Sequence, residues 1–419
     1  MLIEFSVTNF RSIRETQTLS LAASAAIKEL QEQNSFLTDL AALPRMLRSA
    51  VIYGPNAAGK SSFILAMAFM KDRVINSAKE SQQGEKIDTK PFLFDRASQS
   101  QPSEFEVLFV ADGVRYQYGF AVTRERVTHE WLLAYPEGRA QRWFERQYDT
   151  SIRQENWYFG THLKGRRQIW QEATRNNALF LSTAIQLNSE QLQPVFNWFA
   201  NMLQMVGPEG LDPGFTMSIC ATESSKQKVT RFLAAADLSI ADIKLEKRKS
   251  SADELPEDTP DKIKKLLDGK DIMKIKFLHT VNNTEDTIEL DMNEESEGTA
   301  RLFAFAGPWL DVLENGAILL VDELDNSLHP IIVRFLVGLF HNSETNQRNA
   351  QLIMATHDTS LLDKELFRRD QIWFMERDRS HATRLYPLSG FSPRKGEALE
   401  KNYLHGRYGA LPFIGELKF

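Results

Sequence analysis

An α/β fold organised on a parallel sheet is predicted by three stretches that lie far apart in the chain. Residues 50–52 are apolar and run into a glycine-rich turn, GPNAAGKS, followed by a helical run over 62–70. Ile318–Val321 is a continuous apolar run that ends in Asp322 and Glu323. Residues 352–355 form a third apolar run, ending in Thr356, His357 and Asp358. Apolar runs without alternation are what strands buried on both faces require.

Residues 54–61 read G-x-x-x-x-G-K-S between a strand and a helix, the context a phosphate-binding loop demands. Gly54 and Gly59 permit the backbone angles that turn successive N–H groups toward an anion. The helix starting near Lys60 aims the positive end of its dipole at the same place. Gly54, Pro55, Asn56, Ala57, Ala58, Gly59, Lys60, Ser61 and Ser62 are therefore the expected nucleotide contacts. Lys60 is expected to reach the β- and γ-phosphates of ATP, and the Ser61 hydroxyl to ligate Mg²⁺.

Such a loop needs an acidic strand end nearby, so the segments at 54–61 and 318–323 must meet in the fold. Asp322 suits the task of holding magnesium through water, and Glu323 that of polarising the attacking water. His357, at the end of the next apolar strand, fits a sensor of the γ-phosphate. Glu323 and His357 are the expected catalytic residues; Ser61 and Asp322 are the expected metal ligands.

These residues resemble the ABC-type ATPases, in the branch that includes SMC, Rad50, RecF and OLD proteins. Lys60 and Ser61 match the Walker A positions, Asp322 and Glu323 the Walker B pair, Asp325 the D-loop and His357 the switch histidine. IEFSVTNFRSI, residues 3–13, resembles the opening strand and turn of that branch, which implies that Arg11 and Ser12 lie near nucleotide. ESEGTARLF, residues 295–303, stands where the signature loop is expected. Ser296, Gly298 and Thr299 would face the γ-phosphate of an opposite subunit, although the sequence is not LSGGQ and Glu297 adds a negative charge. Thr299 as a plain helix cap is the alternative. No glutamine is assigned to a Q-loop; Gln99, Gln101 and Gln117 are available. One Walker set and one signature-like loop per chain imply a homodimer or higher homo-oligomer.

The resemblance divides the chain into an N-terminal half of an ABC-type ATPase core (1–84), an antiparallel β subdomain (85–160), a helical insertion (161–270) and a C-terminal half of the core (271–419). The β subdomain has direct support in alternating runs around Ala111-Asp112-Gly113 and Pro136-Glu137-Gly138. Its aromatics Phe105, Phe109, Tyr116, Tyr118, Phe120 and Trp131 are expected in the core. Residues 165–245 carry helix-spaced apolar positions, and 250–270 read as a polar excursion. Two small basic clusters, around Lys164 and Lys244, are expected to be solvated faces.

The tail, residues 400–414, combines aromatics, glycines and Arg407, and is read as either a turn that closes the core or a docking contact. Together with PFLF (91–94) and PSEFEV (102–107) it resembles the AbiL/RloA-like ATPases of two-gene abortive-infection systems. That resemblance implies an ATPase that controls a separately encoded effector, typically RloB-like and Toprim-related, acting as a nuclease or toxin. A RecF/Rad50-like ATPase that clamps DNA in repair or maintenance is the alternative. No heptad run supports an SMC-length coiled coil.

The net charge of −6 over 419 residues does not suggest a nucleic-acid-coated protein, though DNA stays possible as a ligand. A single cysteine excludes an internal disulfide framework, and no apolar run spans a bilayer. A cytoplasmic location with no membrane contact is expected.

Overall fold

The computed structural model describes residues 1–206, 212–236, 239–249, 271–281, 286–391 and 396–412. The excursion expected over 250–270 and the end of the tail beyond 412 lie outside the described residues. The chain divides into two compact units, one of 1–208, 312–325 and 336–419, the other of 209–311 and 326–335.

The first unit holds two large sheets. Strands β1 (Leu2–Thr8) and β2 (Gln17–Ser20) come first, then the short pair β3 (Ser35–Leu37) and β4 (Arg45–Leu47), then β5 (Ser49–Tyr53). A meander follows: β6 (Ser103–Ala111), β7 (Val114–Val122), β8 (Val127–Tyr135), β9 (Gln141–Asp149) and β10 (Gln154–Phe159). It makes an antiparallel sheet of order β10-β9-β8-β7-β6-β1-β2, so the strands expected over 85–160 share their sheet with the N-terminus. The expected core aromatics are all buried there.

The second sheet of this unit contains β11 (Leu203–Val206), β15 (Ile318–Val321), β16 (Gln351–Thr356), β5, β17 (Ile372–Arg377) and β18 (Thr383–Pro387), in that order. All neighbours are parallel except the β17–β18 pair. Every residue of β5, β15 and β16 is buried, as the apolar runs they contain require. The helix Lys60–Glu80 brings Phe63 against Phe5 of β1 and Phe69 against Phe105 of β6. Its apolar residues share one core with both sheets. Gln351 fastens the sheets together: its side chain accepts from Leu2 N at 2.7 Å and donates to the Leu2 and Leu47 carbonyls, both at 3.1 Å.

The helical reading of 165–245 is corrected in two places. Helices run over Arg167–Ala173, Phe180–Gln186 and Gln193–Asn197, but Leu203–Val206 is a strand that pairs with β15 at the sheet edge. Helix Glu223–Ala235 is then followed by β12 (Ile240–Lys249). In the second unit β12, β13 (Asp271–Thr280) and β14 (Thr287–Asp291) form an antiparallel sheet. Among the described residues, no helix is long and apolar enough to cross a membrane.

One buried ion pair anchors the antiparallel sheet. Glu130 of β8 lies 3.3 Å from Arg146 of β9, with both side chains out of water. Its carboxylate also accepts from the Phe180 and Leu181 amides at 2.7 and 3.0 Å and from the Tyr118 hydroxyl at 3.0 Å. Glu130 thus supplies the anion at the start of helix Phe180–Gln186. Glu130→Ala leaves Arg146 buried without its counter-charge and is expected to cost about 3–5 kcal/mol in urea unfolding. A loss below about 1 kcal/mol would show that the pair does not anchor the sheet.

Candidate functional site

The strand order β15-β16-β5 sets Asp322, His357 and the glycine-rich loop side by side. Register places Val321 opposite Met354 and Thr356 opposite Tyr53, so all three segments leave the sheet at the same edge. Ligands of open α/β sheets bind at this carboxyl edge.

The shape of the loop depends on the end of the chain. Gly59 has φ +112°, and a Cβ there would clash with the Thr383 hydroxyl and meet Ser12 Oγ at 2.8 Å. A Cβ on Gly54 would clash with the Met375 carbonyl. Neither position tolerates a side chain. Thr383 Oγ1 lies 2.9 Å from the Ala58 carbonyl and 2.8 Å from Ser12 Oγ, and Ser12 in turn bonds Ser62 Oγ at 3.0 Å. Ser12 is therefore beneath the loop, where it braces Ser62. Pro55, Asn56 and Ala57 form the outer turn, Ala57 with φ 63°. Ser61 follows at the first helical turn, half-buried.

Lys60 folds back over this loop. Its ammonium donates to the Gly54 carbonyl at 2.8 Å and the Pro55 carbonyl at 3.3 Å, and lies 3.0 Å from His357 Nε2. Burial pushes the Lys60 pKa down to about 8, against the pull of Asp322, Glu323 and Asp325. Burial, then the Lys60 charge, also lowers His357. Both influences favour the neutral imidazole, which can accept from the Lys60 ammonium.

Asp322 is 1% exposed, and among the described residues neither of its carboxylate oxygens has a hydrogen-bond partner. A buried carboxylate without donors is costly, and a cation removes that cost. The donor set fits Mg²⁺, which is held by few protein ligands and by substrate phosphates. Ser61 and Asp322 would hold it, and the ion would neutralise phosphate charge. Glu323 adopts φ 53°, a left-handed backbone that a side chain adopts at a cost of about 1–2 kcal/mol. Asp325 accepts from the His357 amide at 3.2 Å and so fixes the histidine backbone within its own subunit.

In the second unit Ser296 and Thr299 are 2.8 Å apart through their hydroxyls, and the Thr299 amide donates to Ser296 Oγ at 3.1 Å. The cap of helix Glu297–Asn315 is thus Ser296 rather than Thr299. Gly298 lies against the Ser327 carbonyl, and Glu297 accepts from the Ser327 hydroxyl at 2.7 Å. Arg11 is exposed and lines a separate cavity with Phe69 and Asp72. Gln99 and Gln117 bond Leu93 and Glu106 and do not line the cleft beside the loop.

That cleft, of about 970 Å³, has a wall the sequence reading did not assign to the site. Residues 54–58, His357 and Thr359 form one side, and Tyr403, Leu404 and Leu411 the other. Tyr403 and Tyr408 stack on Phe374 at 5.4 and 5.6 Å, the Ala410 amide donates to Glu376 at 2.9 Å, and Thr359 donates to Glu400 at 2.9 Å. Density of aromatics and glycines in the tail was the one signal of this packing.

Above pH 8 the nucleotide-free chain holds Lys60 increasingly neutral, so binding a polyanion has to take up a proton. ATP affinity is expected to fall by up to about tenfold per pH unit above that point, and Lys60→Arg to abolish the fall. Calorimetric titration between pH 7 and about 9.5 reads this directly. A pH-independent affinity of the native chain would show that Lys60 is not the phosphate-binding cation.

Comparison with known proteins adds the family. Residues 49–363, about three quarters of the chain, match the family model described as "AAA domain, putative AbiEii toxin, Type IV TA system". No curated protein matches the chain. Among solved structures it is similar to an SMC head bound to the C-terminal winged-helix domain of ScpA, with a TM-score of 0.42 and 13% identity over 92% of this chain and 97% of that one. It is also similar to the recombination mediator RecF bound to ATP, with a TM-score of 0.33 and 15% identity over 86% of this chain and 94% of that one. With the phosphate loop, the buried Asp322 and His357 on one sheet edge, the chain is an ATP-binding ATPase and belongs to this AAA-domain family of putative AbiEii type.

Proposed function

We propose that this ATPase is the regulatory, sensing subunit of a two-component anti-phage (abortive infection) system. It controls a separately encoded effector, RloB-like and Toprim-related, through ATP-dependent closure of a homodimer. The observation that carries the reading is the gathering of the expected hydrolytic residues in one unit. Lys60, Ser61, Asp322, Glu323 and His357 sit in one unit, and among the described residues no other cluster of metal-ligating side chains occurs. The toxin–antitoxin description of the family supports a defence context.

In this reading ATP meets Lys60 and His357 on one subunit and Ser296, Gly298 and Thr299 on the other. Nucleotide favours the closed dimer only through those additional contacts. Glu323 positions the attacking water, and hydrolysis reopens the dimer. The DNA-clamp reading has less support from the charges. Lys244, of the expected basic cluster, and Lys276 on the neighbouring strand are both paired to Glu246 and Glu289, which takes those two charges away from phosphates.

Glu323→Gln tests both levels. It is expected to bind ATP, to accumulate as a dimer in light scattering, and to hydrolyse ATP more slowly by on the order of 10²-fold. Turnover at the native rate would remove Glu323 from the mechanism. The tagged variant, recovered from its own cells, is expected to bring down a stoichiometric nuclease- or toxin-like protein. Recovery of repair factors with DNA instead would favour the clamp.

A further inference from the structure

The same helix start that separates two of the phosphate contacts also fixes where a nucleoside must lie. Lys60 and Ser62 are two positions apart on helix Lys60–Glu80, so their side chains leave it on nearly opposite sides. Lys60 points to His357 at 3.0 Å, whereas Ser62 is bonded to Ser12 at 3.0 Å. A triphosphate laid across this helix start, with its terminal phosphate at Lys60, therefore carries its nucleoside out past Ser62, toward the segments tied together around Ser12 and Thr383.

Three segments are tied together on that side. The Arg11 amide donates to the Lys90 carbonyl at 2.6 Å, the Phe92 amide to Asn9 Oδ1 at 3.0 Å, and the Thr383 amide to the Ser12 carbonyl at 2.8 Å. Where they meet, Phe94 stays 65% exposed, with its ring 5.0 Å from that of His381. Phe92 is fully buried beneath and 5.7 Å from Phe94. The strap that holds Phe94 is hydrogen-bonded on its C-terminal side. Asp95 caps the next helix through the Ala97 and Ser98 amides, and Gln99 donates to the Leu93 carbonyl at 2.8 Å. His381 is set by a turn in which Asp378 accepts from the Ser380 and Ala382 amides at 2.8 and 3.1 Å. An exposed aromatic pair, its histidine two residues before the Thr383 that braces the phosphate loop, offers a π face that any base can stack on.

We propose that Phe94 and His381 form the stacking platform for the base of the bound nucleotide. This rests on the phosphate-loop reading of Lys60. Asp378, the nearest carboxylate on that turn, is already engaged by its own backbone, so the platform reads the face of the base and not its edge. The ligand class is a purine nucleoside triphosphate, with ATP and GTP held alike and UTP more weakly because its ring stacks less.

Isothermal titration of the full chain with Mg-ATP, Mg-UTP and magnesium triphosphate separates the terms. Phe94→Ala is expected to weaken ATP about tenfold, to weaken UTP less and to leave inorganic triphosphate unchanged. Phe94→Trp is expected to hold ATP at least as tightly as the native chain. Phe94 is exposed, so neither change threatens the fold. If Phe94→Ala and His381→Ala both leave the ATP-to-UTP ratio and the ATP affinity unchanged, the platform is overturned. Lys60→Ala serves as the separate control: loss of ATP and triphosphate together keeps the phosphate-loop reading, whereas retention of both overturns that reading and the platform with it.

Discussion

The structure depends on one close approach, that of the glycine-rich loop to the last strand pair of the first unit. Gly54 sits under the Met375 carbonyl and Gly59 against the Thr383 hydroxyl, and neither has room for a Cβ. The loop can therefore hold its anion-binding shape only when β17, from the far end of the chain, has paired onto β5 and β18 onto β17. The opening turn at Ser12 joins the same contact through Thr383 and Ser62. Phosphate binding is thus a property of the folded sheet and not of the local motif, even though the motif is local in sequence.

The parts of the site that could be read from sequence are those where burial and chemistry coincide in a few consecutive residues. β15 has the limits its apolar run implies, and Asp322 follows at once because a strand end is where a charged side chain can reach a ligand. The helix runs on to Glu80, past the apolar stretch, because Lys71, Asp72 and Arg73 can sit at its edge without breaking it. Leu203–Val206 was not legible. Four residues are too short to show a period, and the helix-spaced apolar positions before them extend the helical pattern across the boundary. Thr383 was not legible either, since a hydroxyl that braces Ala58 across the whole chain leaves no local trace.

The signature-like loop shows how a mismatch in sequence can have a plain structural reason. Glu297 looks out of place in a phosphate-facing segment. Its carboxylate is taken up by the Ser327 hydroxyl, two residues beyond Asp325, within the same unit. Ser296 meanwhile spends its oxygen on the Thr299 amide. A helix capped in this way offers its remaining first-turn amides and dipole, rather than a serine side chain, to an incoming anion. The tail resolves in the other direction: Tyr403 and Tyr408 are committed to stacking on Phe374, so its aromatic character is core packing that also shapes the cleft wall.

The free site stores its charges in an incomplete arrangement. Lys60 is buried deeply enough to lose much of its basicity and contents itself with two loop carbonyls and a histidine. Asp322, at the end of β15 two strands away, is buried with no donor at all among the described residues. A bare polyanion would satisfy Lys60 but raise the cost of Asp322, and a bare cation would satisfy Asp322 but repel Lys60. Only a cation and a polyanion together relieve both. A preference for a magnesium–nucleotide complex over either component alone would therefore follow from burying one lysine and one aspartate on the same sheet edge, before any contact to base or ribose is counted.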